Sequence, residues 1–549
     1  MRYALYLIAA TITAQDVTPE RLVNALREQH NWLTYYGDYS GRRHRDLAQI
    51  TSTNVHQLRV EWIFQTGQPG EFQANPLVVD GVMYFTASNG VAFAIDAKNG
   101  RQLWKYTYPL PKEELLANGT VNRGFAILGH RLFMTTPDAH LLALDARTGQ
   151  LLWNVEMEDN KKGYGATVAP LVVSNKVIAG VGGGEYGIRG FLDAYEAETG
   201  RRAWRFYTIP EPGEPGGDTW AGDSWKRGGG PTWLTGTYDP ETNTLYWPVG
   251  NPGPDLYGAV REGDNLYTCS VIALDPETGR LKWHFQFTPP DTHDWDANET
   301  MMLVDADWQG KPRKLLYHAN RHAFFYVLDR VTGEFLLGKP FARQTWAVGL
   351  DDKGRPIEKP GTRPSKEGTP VCPGLAGATN WMPSSFNPAT GWFYLAVREQ
   401  CDVFYAAPPV YVEGKAYWGS VFRGWSEEKE FGLVRAIDPR TVETKWEFKL
   451  AKAPWSGTLS TAGNLIFATD LDGYLFALDA KTGALLWKFN LGAPLKGAPI
   501  TWSHERRQDV TMGSGAAVVT FALPRETVSP VTTKARRRSP GPAAIRATN

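Results

Sequence analysis

The stretch Ala94–Trp104 reads AIDAKNGRQLW, and the same pattern follows as ALDARTGQLLW at Ala143–Trp153 and as AYEAETGRRAW at Ala194–Trp204. Further copies, two of them weaker, lie at Ala273–Trp283, Ala436–Trp446, Ala477–Trp487, Val327–Leu337 and Ser385–Leu395. The shared form is A-x-D-x-x-T-G-x-x-x-W. An alternating apolar strand thus ends in an Asp-x-x-x-Gly turn, and the next strand delivers a tryptophan at a fixed offset.

This repeat predicts the fold. Successive aspartates lie 49 residues apart from Asp96 to Asp145 and 41 apart from Asp438 to Asp479, which leaves room for four short strands per unit. Such a unit cannot bury both faces alone, so the units are expected to stack radially, each tryptophan covering its neighbour. We predict an all-β protein, an eight-bladed β-propeller with tryptophan-docking repeats, closed by the strand 60–64. Helix is expected to be sparse, with its clearest candidate at 18–32, before the propeller.

Composition and the chain ends narrow the function classes. Lysine plus arginine and aspartate plus glutamate both number 58, so the chain has no global charge that would favour nucleic acid. Residues 1–14 pair one positive charge with a short apolar run, which predicts a secretory signal peptide and no membrane span. Residues 15–524 are expected to form a single propeller domain, and the basic, Ser/Pro-rich tail at 525–549 is expected to be disordered.

Three cysteines are present. In an exported protein Cys372 and Cys401 can pair, which would leave Cys269, within the strand-like TCSVIAL, as a buried free thiol. The sequence by itself does not fix that pairing.

The segment GGGEYGIRG at 182–190 contains G-x-G-x-x-G, the dinucleotide-binding fingerprint. That fingerprint requires a helix directly after the glycines, whereas a predicted strand and a repeat turn follow here. A hairpin turn with a solvated glutamate remains an alternative. However, an asparagine in GNPGP at 250–254 and acids in HDWDAN at 293–298 supply further oxygen ligands, and Glu185, Asn251 and Asp296 could together bind calcium on a propeller axis.

Several motifs occur together in one order. They are ITSTNVHQLRVEW at 50–62, VNRG at 121–124, GGGEYGIRG, GGPTW at 229–233, GNPGP, HDWDAN, HANRHAFFYVLDR at 318–330, NWMPSSFNP at 380–388 and WSGTLSTAGNLIF at 455–467. Through this ordered set, from about 31 to 524, the chain resembles the quinoprotein alcohol dehydrogenases of the methanol/ethanol dehydrogenase type. Those enzymes are eight-bladed propellers that carry pyrroloquinoline quinone (PQQ) and a metal ion on the axis.

The resemblance assigns roles residue by residue. Glu185, Asn251 and Asp296 match the metal ligands, and Asp296 also matches the catalytic base that takes the hydroxyl proton of the alcohol while hydride moves to the quinone C5. Arg321 matches the arginine that stabilises negative charge on the quinone oxygens. The remaining matches are expected to contact the quinone, with Trp233 as its stacking partner: Gln73, Arg123, Thr167, Gly182, Gly183, Gly184, Trp233, Asn380 and Trp381. The Cys372–Cys401 separation is similar to that of a family disulfide.

Three departures from the family pattern bear on the site. Ala117-Asn118-Gly119-Thr120 stands where the family commonly has two adjacent cysteines joined in a disulfide ring, so that ring cannot form. Gln73 stands where some members have glutamate. Asn298 replaces the additional aspartate typical of lanthanide-dependent relatives, which favours Ca²⁺ over a lanthanide ion.

The sequence is compatible with three functions. The first is a periplasmic, PQQ-dependent alcohol dehydrogenase for small alcohols that passes electrons to a soluble cytochrome c or a similar acceptor, because the sequence contains no C-x-x-C-H haem motif. The second is a quinoprotein acting on sugars or polyols. The third is a catalytically silent propeller scaffold. A homodimer is compatible with all three.

Overall fold

The computed structural model describes residues 16–111, 115–116 and 119–525, and β-strands dominate them. Three segments lie outside this part. They are the predicted signal peptide at 1–14, positions 117 and 118, where the family has its cysteine pair, and all of the predicted tail except Arg525. The helices are short: an α-helix at Pro19–Val23 and 3-10 turns at Ala25–Arg27, Val55–Gln57, Asn160–Lys162, Gly184–Tyr186, Gly217–Thr219, Ser224–Arg227 and Gly258–Val260. None of the helices in the described ranges is long and apolar enough to span a bilayer.

Eight sheets of four or five strands follow one another through the described residues. In chain order, the first three sheets contain Leu77–Val79, Val82–Ala87, Val91–Asp96 and Gln102–Thr107; then Ala126–Leu128, Arg131–Thr135, His140–Asp145 and Leu151–Glu156; then Leu171–Val173, Lys176–Gly180, Phe191–Glu196 and Arg202–Tyr207. The fourth to sixth sheets contain Thr237–Asp239, Thr244–Pro248, Ser270–Leu274 and Leu281–Gln286; then Met302–Trp308, Lys311–Ala319, Phe324–Asp329 and Phe335–Pro340; then Ser385–Asn387, Trp392–Glu399, Phe431–Ile437 and Thr444–Leu450. The seventh sheet contains Leu459–Thr461, Leu465–Thr469, Tyr474–Asp479 and Leu485–Asn490, with His44–Arg45 added in parallel, and the eighth contains Ile500–His504, Arg507–Ser514 and Ala517–Ala522 with Arg59–Gln65.

Smaller sheets lie between the main ones. They are formed by Ala347–Leu350 with Pro356–Glu358, and by Thr369–Val371, Asp402–Phe404 and Phe422–Gly424.

An early strand and the last strand of the described residues share one sheet. The strand Arg59–Gln65 pairs antiparallel with Ala517–Ala522, as the sequence predicted for residues 60–64. One apolar cluster also joins side chains of the first sheet, such as Phe85 and Phe93, to Leu475 and Val510 in the last two sheets. The strand pairing and this cluster together join the last sheets to the first.

The recurring tryptophan and glycine of the repeat contact each other across neighbouring sheets. The indole of Trp104 covers Gly149 in the turn of the next sheet, and its Nε1 donates to the carbonyl of Ala146 at 2.8 Å. The same indole-over-glycine contact recurs between Trp62 and Gly100, Trp153 and Gly200, Trp204 and Gly279, Trp283 and Gly333, and Trp446 and Gly483. The repeat thus encodes the contact between neighbouring sheets, as its spacing predicted.

Two details of the predicted fold were wrong. The weak repeat at 385–395 does not mark a unit of its own, because Ser385 pairs with Tyr394 in the first hairpin of the sheet that already contains Ala436–Trp446. The helix predicted at 18–32 begins after its N-cap Thr18 but ends at Val23. It cannot reach Trp32, whose backbone pairs in extended conformation with Val78.

The indole-over-glycine contact gives a stability prediction. Gly149 has φ +73°, and a Cβ added to it would lie 2.7 Å from the ring of Trp104. We expect Gly149→Ala to lower the free energy of unfolding by about 3 kcal/mol, since left-handed backbone strain adds to overpacking against the indole. Thermal unfolding at a fixed scan rate measures this. Gly81→Ala is the control, since Gly81 has φ +86° but no neighbour within 4 Å, and equal losses at both sites would contradict the docking role.

Candidate active site

The predicted site residues meet around one cavity of about 660 Å³, a size typical of cofactor and small-ligand sites. Those that line it are Gln73, Arg123, Thr167, Gly182, Gly183, Glu185, Trp233, Asp296, Arg321, Asn380 and Trp381. Gly184 and Asn251 lie directly behind this lining, in contact with each other: a Cβ added to Gly184 would lie 2.9 Å from Oδ1 of Asn251. Residues far apart in the sequence therefore converge as predicted.

The glycines of GGGEYGIRG bring two backbone segments close together. Gly183 has φ +108°, and a Cβ there would lie 2.1 Å from the carbonyl oxygen of Gly163. A 3-10 turn, Gly184–Tyr186, then presents Glu185, whose carbonyl accepts from the backbone N–H of Tyr417 at 2.6 Å. The strand Phe191–Glu196 follows, so the dinucleotide-binding interpretation is excluded by the absence of a helix at this position.

Asp296 is held by three donors from three different segments. Its Oδ2 accepts from Nε1 of Trp233 at 3.0 Å and from Arg321 at 2.8 Å, while its Oδ1 accepts from the backbone N–H of Asn251. The side chain is 3% exposed. Its position at the cavity wall is therefore fixed by the buried residues Arg321 and Asn251 and by the partly buried Trp233.

Arg321 is the centre of an acidic cluster. Besides Asp296, it approaches Asp294 and Glu299, each with a nitrogen-to-oxygen distance of 3.6 Å. Burial lowers the pKa of Arg321, but the negative charges of Asp296, Asp294 and Glu299 outweigh it and raise the pKa above its ordinary value. The guanidinium thus stays charged, and its Nε has no hydrogen-bond partner among the described residues.

A second arginine lies between two indoles. The guanidinium carbon of Arg123 is 4.8 Å from the ring centre of Trp233 and 5.1 Å from that of Trp381, and its NH1 donates to Oγ1 of Thr167. Burial lowers the pKa of Arg123 to about 10. Its Nε and the Oε1 of Gln73 are buried without hydrogen-bond partners in the described part of the chain. These atoms offer a donor and an acceptor to a polar ligand.

Asn298 does not add charge to the site. With its amide oxygen turned toward Trp233, that oxygen accepts from Nε1 at 2.8 Å and the amide nitrogen donates to the carbonyl of Pro248 at 3.1 Å. Asn298 is fully buried in this arrangement and supports the indole that also contacts Asp296.

Sequence reasoning missed three polar residues near the cavity. Asp294 and Arg398 line it, and Asp255 lies behind Asn251, whose Nδ2 donates to the Asp255 carboxylate at 2.8 Å. Burial raises the pKa of Asp255, and the negative charges of Glu185 and Asp296 raise it further. Asp255 directly follows GNPGP and Asp294 lies inside HDWDAN. An acidic residue within or directly after a predicted site motif was therefore the sequence feature that could have identified both. Nothing in the sequence around Arg398 distinguishes it from a surface arginine.

A disulfide borders the cavity. Cys372 and Cys401 are bonded, whereas Cys269 is a buried free cysteine, as predicted. Leu375 and Asp402, close to the two half-cystines in sequence, line the cavity. The bond therefore ties together two segments of the cavity wall.

Comparison with known proteins places these features in a family. Residues 32–339 match the model for the glucose/ethanol/alcohol dehydrogenase β-propeller domain, and residues 430–517 match that of the outer membrane protein assembly factor BamB. The quinoprotein alcohol dehydrogenase PedH of Pseudomonas putida is 40% identical over 503 residues, which cover 86% of this chain and 84% of the relative.

Solved structures agree. The quinohemoprotein alcohol dehydrogenase ADHIIG of Pseudomonas putida HK5 superimposes with a TM-score of 0.88 at 34% identity, over 97% of this chain and 84% of that one. A europium-containing methanol dehydrogenase gives the same TM-score of 0.88 at 32% identity, over 92% of this chain and 100% of that one. The chain therefore belongs to the PQQ-dependent alcohol dehydrogenases, the quinoprotein family with a β-propeller domain.

Proposed function

We propose that this protein oxidises small alcohols to aldehydes at the cavity described above, with PQQ as electron acceptor and Ca²⁺ as the metal ion. The eight four- and five-stranded sheets are then the eight blades of one propeller, and the site lies on its axis. The observation that carries the proposal is the meeting of Glu185, Asn251, Asp296 and Arg321 at one cavity.

The cavity fits a flat, multiply charged cofactor. Trp233 and Trp381 supply aromatic surface, while the buried Nε of Arg123 and Oε1 of Gln73 lack partners that a carboxylated quinone can provide. Asn380 adds an amide, whose Nδ2 donates to the carbonyl of Ala376 at 2.9 Å. We assign quinone binding to these residues together with Thr167, Gly182, Gly183 and Gly184.

A second set of residues at the site supplies donors that fit a hard cation. Glu185 and Asp296 offer carboxylates and Asn251 an amide oxygen, which is the ligand chemistry that calcium selects. Because Asn298 supplies no additional charge, we favour Ca²⁺ over a lanthanide ion. The europium in the related methanol dehydrogenase makes a lanthanide the alternative to be tested.

The residues of the chain then have distinct tasks. When bound, PQQ supplies a two-electron oxidant and the metal ion a Lewis acid. Asp296 accepts the hydroxyl proton of the alcohol, since its carboxylate lies at the cavity wall and is oriented by Trp233 and Asn251. Arg321 provides positive charge beside Asp296 where negative charge develops during oxidation.

The signal peptide predicted at 1–14 supports export of this enzyme. We infer a periplasmic enzyme that delivers electrons to a soluble cytochrome c or a comparable acceptor. A homodimer remains a prediction, as do the domain bounds 15–524. Oxidation of sugars or polyols is the second candidate within the family. The scaffold interpretation is disfavoured because a scaffold needs none of the four converging site residues.

Reconstitution tests the function. We expect the purified chain to reduce an artificial dye with primary alcohols only after addition of PQQ together with Ca²⁺, and to reduce it more slowly with glucose or glycerol. A chelator should abolish the activity and Ca²⁺ should restore it. Dye reduction that is absent with Ca²⁺ and with lanthanide alike would refute the proposal, whereas activity with lanthanide alone would correct the metal.

A further inference from the structure

Asp255 is a buried acid without a cation of its own. It is 3% exposed, and within the described part of the chain its carboxylate accepts from Nδ2 of Asn251 and forms no ion pair. A buried carboxylate is costly unless a positive charge compensates it. The positive charge of Arg261 acts on Asp255 without pairing with its carboxylate, and the proposed metal ion, on the other side of Asn251, would add a second compensating charge.

The backbone around Asp255 is held rigidly. The fully buried side chain of Arg261 donates to the carbonyl of Pro254 at 3.0 Å and to the carbonyl of Asp291 at 2.6 Å. Its guanidinium is thus engaged with backbone carbonyls and does not bind the Asp255 carboxylate. These bonds hold the backbone of this segment next to Asn251, whose amide contacts the Asp255 carboxylate.

The hydrogen bond sets the orientation of the Asn251 amide. Because Nδ2 points to Asp255, Oδ1 points to the other side, where it lies beside Gly184 in the turn that carries Glu185. That is the orientation in which the amide oxygen can serve as a metal ligand. The reverse orientation would bring two oxygens together and is disfavoured.

We propose that Asp255 is a positioning residue of the metal site, which turns the Asn251 oxygen toward the cation and adds a negative charge behind it. This inference rests on the proposed function. Asp255 thereby supplies, from a different loop, a charge that Asn298 does not provide. If the Asp255 charge contributes to binding, its loss should weaken binding of a trivalent ion more than binding of a divalent one, because Coulomb energy scales with ion charge.

The test uses the full chain reconstituted with PQQ and titrated with Tb³⁺ and with Ca²⁺. Tb³⁺ luminescence sensitised by nearby tryptophan, such as Trp233, reports binding directly, and Ca²⁺ is measured by competition. Asp255→Asn keeps an oxygen that can accept from Asn251 but loses the charge. We expect about tenfold weaker Ca²⁺ binding and about thirtyfold weaker Tb³⁺ binding. Asp255→Ala also loses the acceptor, and Ca²⁺ binding should weaken about a hundredfold.

Controls separate this role from general destabilisation. Asp264→Asn removes the same charge nine residues further along the chain, from a partly exposed side chain paired with Arg355, and should leave both affinities unchanged. Circular dichroism confirms that each variant is folded. Asp255→Asn with unchanged affinities, or with equal losses for both ions, would overturn the inference. The proposed metal site itself is refuted if the unsubstituted chain binds neither ion. It is also refuted if Glu185→Gln binds both ions with the same affinity as the unsubstituted chain.

Discussion

Asp296→Asn is expected to lower kcat/KM for primary alcohols by about a thousandfold or more, because the variant loses the group that accepts the hydroxyl proton. The amide is close to the carboxylate in volume and can keep an oxygen toward Trp233 and Arg321, at the loss of the hydrogen bond from the backbone N–H of Asn251, so the fold should persist. Steady-state kinetics with a dye acceptor measures the loss. The absorbance of bound PQQ shows in the same sample whether the cofactor is retained.

Asp294→Asn is the matched control. Asp294 also lines the cavity and lies 3.6 Å from Arg321, but it lacks the contacts to Trp233 and Asn251 that orient Asp296. We expect a loss of about tenfold or less, caused by weaker charge balance around Arg321. A larger loss at Asp294 than at Asp296 would show that the base has been assigned to the wrong member of the pair.

The sequence specifies the fold in unusual detail because one local pattern serves two purposes. The Asp and Gly of each turn shape a hairpin, and the same Gly leaves room for the indole of the preceding sheet, as with Gly149 and Trp104. A pattern that encodes both the turn and the contact between sheets can be recognised from the sequence alone. Where a segment has only the turn, as at 385–395, the pattern marks a hairpin inside a sheet and not a separate unit.

The site was less completely predictable. Motif resemblance identified residues that converge on the cavity, including Glu185, Asn251 and Asp296, since each lies in a distinctive loop. It could not identify Asp255, because a carboxylate that orients another side chain carries no motif of its own. Its importance is visible only when the loop places it 2.8 Å from the amide nitrogen of Asn251.

Glu185→Gln is expected to weaken Ca²⁺ binding by about a hundredfold or more, because it replaces one of two carboxylates proposed as ligands with a neutral amide. The enzyme should be inactive at Ca²⁺ concentrations that saturate the unsubstituted protein, and millimolar Ca²⁺ should restore part of the activity. Titration of dye-coupled activity with Ca²⁺ gives one apparent constant, and competition with Tb³⁺ gives another that does not depend on turnover.

The rescue distinguishes a lost ligand from a damaged fold, since added Ca²⁺ can replace binding energy but cannot repair a disrupted cavity. Glu71→Gln provides the matched control: Glu71 lines the same cavity, but it forms an ion pair with Lys496. Its loss should change the apparent constant for Ca²⁺ by less than about threefold, as for other partly exposed ion pairs. If both variants need the same Ca²⁺ concentration as the unsubstituted protein, Glu185 is not a metal ligand, and the glycine-rich turn that carries it has a purely structural role.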